Sequence, residues 1–227
     1  MLCQCTAGQG VNFSGLTKNK MNMMDKYKTL PVPGCGPALN KKHPWLLPLL
    51  DGYAELDGFL TEDIARTGRT PACLKGCACC CSQPIPVTPP EIIAIALHLN
   101  RSGYPEKKQL PPPADCIFLK NGSCSIYPVR PIACRRYIVF GNQCSPGEVP
   151  TETRPGDVLK PSRHALLYIL QKTIPYYVQQ GLLPKDAALP NPVDMRFFAM
   201  HTGLLHKVNW QDMRTVQTAS GTKVNAA

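Results

Sequence analysis

With 227 residues, a formal charge of +10, 24 prolines and 12 cysteines but few aromatics, the chain has room for one lean core with appended tails, not for two unrelated full domains. No apolar run reaches the roughly 20 residues needed to cross a bilayer, and residues 1–20 lack the apolar stretch of a secretory signal, so the expectation is a cytoplasmic protein without a membrane role. The basic residues are scattered, with only Lys41-Lys42, Lys107-Lys108 and Arg135-Arg136 as pairs, which argues against a nucleic-acid partner.

Residues 1–40 mix Gly, Asn, Lys, Thr and Met without helical or strand period and read as a flexible leader. From Trp45 the pattern changes: Leu46, Leu47, Leu49, Leu50, Tyr53, Leu56, Phe59, Leu60 and Ile64 recur at three- and four-residue steps with acidic residues between them, predicting an amphipathic helix or a broken pair. The Gly68-Arg69-Thr70-Pro71 breaker ends it. Beyond the cysteines that follow, Gln83 to Val87 reads as extended because proline restricts both itself and the residue before it. Thr88-Pro89-Pro90-Glu91 is a helix start in which Thr88 caps, Pro89 suits the first position and Glu91 reaches back to the Thr88 amide. That structural duty accounts for Glu91 without chemistry, and His98 on the same helix reads as a surface residue or a ligand. Ile92, Ile95, Ala96 and Leu99 form the apolar face, and Arg101-Ser102-Gly103 closes the helix.

A stiff Pro111-Pro112-Pro113 spacer leads to a tight-turn signal at Lys120-Asn121-Gly122-Ser123, predicting a small hairpin between 117–119 and 125–127. A further helix is expected from Ala165 to a stop at Gly181, kinked or divided by Pro175. Asn191-Pro192-Val193-Asp194 should cap a short helix through Phe198 and Met200, with a frayed polar end beyond Asn209. The fold class is therefore mainly α, with an irregular metal-centred cysteine core and at most a short β-hairpin. The expected organisation is a leader over 1–40, a single cysteine-cluster domain over 41–205 with its motif in 70–145, and a tail over 206–227.

Nine of the cysteines lie in one third of the chain. Cys73, Cys77, Cys79, Cys80 and Cys81 form a knot, and Cys116, Cys124, Cys134 and Cys144 follow at wider spacing. In a reducing compartment, metal binding is the default use of such a set. Cys73-x3-Cys77-x2-Cys80 can supply three ligands to one centre, with a fourth from the later set. Adjacent side chains of an extended backbone point to opposite faces, which would send Cys81 to a second centre or beside the first. Cys79 is left unassigned, and the outlying Cys3, Cys5 and Cys35 read as free thiols or disulfides.

The spacing C-x3-C-x2-C resembles the cluster motif of radical S-adenosylmethionine enzymes, but repeated strand-helix units do not follow it. A longer run is more specific: Cys73-x3-Cys77-x2-Cys80-Cys81, Thr88-Pro89-Pro90-Glu91-Ile92, Cys116-Ile117-Phe118-Leu119, Cys124-Ser125-Ile126-Tyr127, Arg130-Pro131 and Cys134-Arg135. It resembles the cysteine-cluster family described as a zinc- or iron-chelating domain, over residues 70–145, with Tyr137 standing where phenylalanine is expected. The resemblance implies a metal site on Cys73, Cys77, Cys80, Cys81, Cys116, Cys124, Cys134 and Cys144. Flagellin lysine N-methylases are larger relatives, but no Gly-rich turn for a nucleotide-like cofactor is found here.

Structural zinc is usually held by two close pairs of thiolates, whereas iron-sulfur clusters accept more varied spacing. The expected cofactor is accordingly an iron-sulfur cluster, of 4Fe-4S type, with zinc as the alternative. Arg130 and Arg135 frame Cys134 and could donate to sulfur, or simply form surface ion pairs. Two functions follow: a redox, sensor or adaptor module with a protein partner still open, or a metal-dependent protein-modifying enzyme. The histidines are dispersed, so the binder is preferred; an open metal position lined by Asp115, His98 or Tyr127 would reverse that.

Overall fold

The computed structural model describes residues 41–73, 77–105, 114–145, 147–189 and 195–213. In chain order these carry α1 (Leu46–Thr67), a 3-10 turn (Cys79–Ser82), β1 (Pro86–Val87), α2 (Pro89–Ser102), β2 (Leu119–Lys120) and β3 (Ser123–Cys124). A 3-10 turn (Tyr127–Val129), α3 (Ile132–Arg136), α4 (Pro150–Thr153) and a 3-10 turn (Pro155–Asp157) follow. The rest is α5 (Arg163–Gln179), α6 (Met195–Met200), β4 (Gly203–Leu204) and a 3-10 turn (Leu205–Lys207). The protein is mainly helical, as its periodicity predicts. The expected leader, the Pro111-Pro112-Pro113 spacer, the cap at 191–194 and Cys3, Cys5 and Cys35 lie outside the described residues.

The described chain falls into two compact units, 41–62 with 162–189 and 63–161 with 195–213. In the first, α1 and α5 run antiparallel: Trp45 meets Tyr176 edge-on at 5.2 Å and Phe59 meets Tyr168 at 5.2 Å. Gly52 allows the close approach between them, since a methyl group there would come within 2.7 Å of Lys172 Cγ. Leu49, Tyr53 and Leu56 on α1 and Ala165, Ile169 and Tyr177 on α5 are buried, the stripe that a 3.6-residue period places on one face. Ser162 caps α5 by accepting from the Ala165 amide at 3.3 Å. Pro175 lies inside α5 without dividing it: burial of Ile174 and Tyr177 on either side outweighs the one hydrogen bond proline removes. The turn at Gly181, with φ of 71°, ends the helix as expected.

In the second unit, α2 is the scaffold. Thr88 and Glu91 form the capping box, the carboxylate accepting from the Thr88 amide at 2.8 Å and hydroxyl at 2.7 Å. Gly103, at φ 87°, closes the helix by donating to the Leu99 carbonyl. A hairpin forms at the predicted turn, but its strands are shorter and closer to it than expected: Leu119 lies opposite Cys124 and Lys120 opposite Ser123, while Tyr127 opens a 3-10 turn instead of a strand. Asn121 and Gly122 both have positive φ, 49° and 73°, the turn geometry that matches strand twist. A second antiparallel pair, Pro86 with Leu204 and Val87 with Gly203, joins segments far apart in sequence. Trp210 is fully buried, edge-on to Phe118 at 5.2 Å, and Gln211 donates to the Pro105 carbonyl at 3.0 Å. The stretch just beyond Asn209 is thus packed rather than frayed, because one indole buries enough apolar surface to outweigh its polar neighbours.

Glu91 does more than cap. Its other oxygen accepts from the Ile132 amide at 2.6 Å, at the start of the helix that carries Cys134. Burial pushes this carboxyl above its ordinary range, while its donors from Thr88 and Ile132 and the charge of Arg135 pull it back. Glu91→Ala should cost about 3 kcal/mol, because it strands buried donors and the Arg135 charge. Urea unfolding followed by Trp210 fluorescence in a Trp45→Phe background measures it; a cost below about 1 kcal/mol would deny the bridging role.

Candidate metal centre

All nine central cysteines belong to the second unit, and each is partly buried. The knot is not extended. Cys79–Ser82 form a 3-10 turn, in which successive side chains diverge by about 120° rather than 180°. The thiols of Cys80 and Cys81 therefore reach one another as hydrogen-bonded neighbours, and Cys81 lies beside Cys80. Cys73 and Cys77 form a second hydrogen-bonded pair.

Three ties bring the later cysteines to the knot. The Cys116 amide donates to the Cys81 carbonyl at 3.0 Å, the Cys79 thiol to the Cys144 carbonyl at 3.1 Å, and the Val139 amide to the Cys73 sulfur at 3.3 Å. The hairpin places Cys124 near Cys116, and α3 supplies Cys134. Ionisation of Cys80 would oppose ionisation of Cys73, Cys116, Cys124, Cys134 and Cys144. The ties draw the cysteine-bearing segments toward the knot, but among the described residues no three Cys, His, Asp or Glu side chains are grouped closely enough to hold a metal ion, so the expected metal-centred core is not formed by these side chains as they stand. Cys79 is the ninth, and its thiol is engaged by a backbone carbonyl.

The electrostatics show what such an assembly lacks. Hydrogen bonding to Cys77 and then burial raise the Cys73 thiol, and hydrogen bonding to Cys81 and then burial raise Cys80. Burial raises Cys116 to about 11 and also raises Cys124, Cys134 and Cys144, with like-charged thiols adding to the rise. The groups are neutral as they stand. They become thiolates together only when a cation balances them. The chemistry of the donor set, sulfur throughout, fits a soft or borderline metal centre.

The two expected arginines have different duties. Arg135, 2% exposed, spends its guanidinium on backbone carbonyls, Arg130 at 3.1 Å and Pro128 at 2.5 Å, so it shapes the turn before Cys134. Arg130 stacks over the exposed Tyr127 ring at 4.1 Å, and its charge draws the Cys124 and Cys134 thiols down. Arg154, which the sequence did not single out, donates to a thiol: its Nη2 lies 3.5 Å from Cys144 Sγ. Only a lone Arg in a turn-rich stretch marked it. His98 Nε2 lies 3.3 Å from the Ser125 carbonyl, Asp115 is exposed, and the buried Tyr137 hydroxyl has no hydrogen-bond partner among the described residues. The phenylalanine expected at Tyr137 would forfeit nothing there.

Among the described residues no helix is long and apolar enough to cross a membrane. Residues 72–149 match the CxxCxxCC family model, whose description reads "Putative zinc- or iron-chelating domain". The matched segment contains all nine central cysteines. No curated protein and no solved structure matches the chain, so the likeness to flagellin lysine N-methylases finds no counterpart.

Proposed function

We propose that this chain, carrying a zinc- or iron-chelating cysteine domain over residues 72–149, holds an iron-sulfur cluster and serves as a redox, sensor or adaptor module. The observation that supports the reading is the set of hydrogen bonds that tie the Cys116, Val139 and Cys144 backbone to the cysteine knot at Cys81, Cys73 and Cys79. The ligands come from Cys73, Cys77, Cys80, Cys81, Cys116, Cys124, Cys134 and Cys144. When bound, such a cluster supplies one-electron transfer and a cross-link between segments. A crowded knot plus single thiols from a hairpin, a helix and a loop supports a cluster over the paired delivery usual for structural zinc.

Burial raises the Cys124 and Cys144 thiols, and the positive charges of Arg130 and Arg135 beside Cys124 and of Arg154 beside Cys144 offset part of that rise. Binding rather than catalysis is supported by His98, whose ring nitrogen is engaged by the hairpin backbone, and by Asp115, which faces solvent.

The decisive experiment is metal and acid-labile sulfide analysis with an absorption spectrum on protein made and kept without oxygen. Iron with near-equal sulfide and a broad band near roughly 400 nm is expected. Zinc without sulfide would overturn the cluster and leave a structural metal site. Neither metal, with disulfides among the central cysteines, would overturn metal binding altogether.

A further inference from the structure

The segment from Phe140 to Asp157 leaves and rejoins the fold at one point, where the Phe140 amide donates to the Asp157 carbonyl at 2.8 Å. Cys144 sits in the excursion between them. A single guanidinium spans its interior. Arg154 Nη1 donates to the Phe140 carbonyl at 3.0 Å, Nε to Glu148 Oε1 at 2.7 Å, and Nη2 to Cys144 Sγ at 3.5 Å, while Asp157 Oδ2 lies 3.5 Å from Nη1. The partners are braced in turn. Glu148 also accepts from the Ser145 amide at 2.8 Å and the Thr153 hydroxyl at 3.1 Å. Asp157 pairs with Arg69, which donates to the Gly156 carbonyl at 2.9 Å and covers the Phe140 ring at 4.8 Å. Gly141 and Gly147, at φ 75° and 76°, turn the chain in and out.

We infer that Arg154 is a positioning residue that holds the Cys144 loop closed, so that Cys144 is delivered to the thiol assembly before any metal arrives. Besides the Cys79 thiol on the Cys144 carbonyl, the excursion is held from outside by Gln83 Nε2, which donates to the Glu148 carbonyl at 3.0 Å; without an internal brace the exposed residues between would still carry ordering entropy into metal binding. A planar fork that reaches a carbonyl, a carboxylate and a sulfur at once fixes the loop before binding, and a lysine cannot reproduce it. The loop is also tied to the knot, where the Cys79 thiol donates to the Cys144 carbonyl at 3.1 Å.

The test uses Arg154→Ala and Arg154→Lys in the full chain, first without metal. Amide hydrogen exchange over 141–148 should quicken about tenfold or more in both, as expected when a bracing network is lost, while exchange in α2 stays as in the parent and shows that the unit is folded. In loaded protein, which rests on Cys144 being a ligand, release of metal to a chelator should quicken roughly 10- to 100-fold, the usual consequence of losing a partner behind a ligand. Exchange unchanged in Arg154→Ala would overturn the inference, and so would full rescue of both readouts by lysine, which would make charge alone sufficient. If the parent takes up no metal, the proposed function fails while the exchange measurement still decides the clamp. Glu148→Gln, which leaves the guanidinium in place, should show the same exchange pattern in weaker form.

Discussion

Cys80→Ser is expected to abolish metal loading, lowering the metal content of anaerobically purified protein to under about a tenth of the parent, while Cys79→Ser leaves it within about twofold. The two residues are adjacent and share a 3-10 turn, so a general disturbance of the knot would affect both alike. Their surroundings differ. Cys80 is hydrogen-bonded to the Cys81 thiol, and its ionisation would be coupled to that of Cys116, Cys124, Cys134 and Cys144. Cys79 donates to the Cys144 carbonyl, a duty that a serine hydroxyl can take over. Losing one partner behind a ligand already costs about 10- to 100-fold in metal affinity, so losing a central sulfur should exceed that range. Metal and protein determinations on the two variants suffice. Full loading of Cys80→Ser, or equal losses in both, would show that Cys80 is not part of the site.

Metal-free and loaded protein should respond to alkaline pH in opposite directions. In the metal-free fold the buried thiols are raised, Cys116 to about 11, whereas in the unfolded chain a cysteine titrates near about 8.5. Between those values the folded state binds more protons than the unfolded state, so stability falls as pH climbs past about 8.5. Cys116 alone would contribute a loss of about 3 kcal/mol once pH passes its raised value. In the loaded protein the thiols are already thiolates, and the metal competes with fewer protons as pH rises. Affinity therefore gains roughly tenfold per pH unit for each thiol that must ionise. Thermal unfolding at pH 7 to 10 under reductant, with and without metal, should give a falling midpoint in the first series and a level or rising one in the second. Parallel slopes would mean that the thiols do not ionise on binding.

Much of this molecule is legible in its residue order because the relevant forces are local. The three- and four-residue steps from Trp45 build α1, and the side-chain chemistry of Thr88 and Glu91 starts α2. Asn121 and Gly122 tolerate the positive φ that the hairpin requires. The family motif also singles out eight cysteines, since thiols at such density need a cation. Other features depend on partners that only folding supplies. The turn at Cys79–Ser82 arises where the chain meets the 139–144 segment, and it cancels the opposite-face logic that an extended backbone would impose on Cys80 and Cys81. Glu91 satisfies its local cap, which hides its bond to Ile132 forty-one residues away. Arg135 sits next to a cysteine in sequence yet turns to backbone carbonyls, while Arg154, ten residues from Cys144, reaches its sulfur. The sequence by itself determined the helices, the hairpin turn and the cysteine-rich chelating domain over 72–149, because propensity, capping and thiol chemistry act within a few residues. The tertiary structure decided which sulfurs are neighbours and which arginine serves them, because burial and long-range hydrogen bonds are set only when distant segments close around one another.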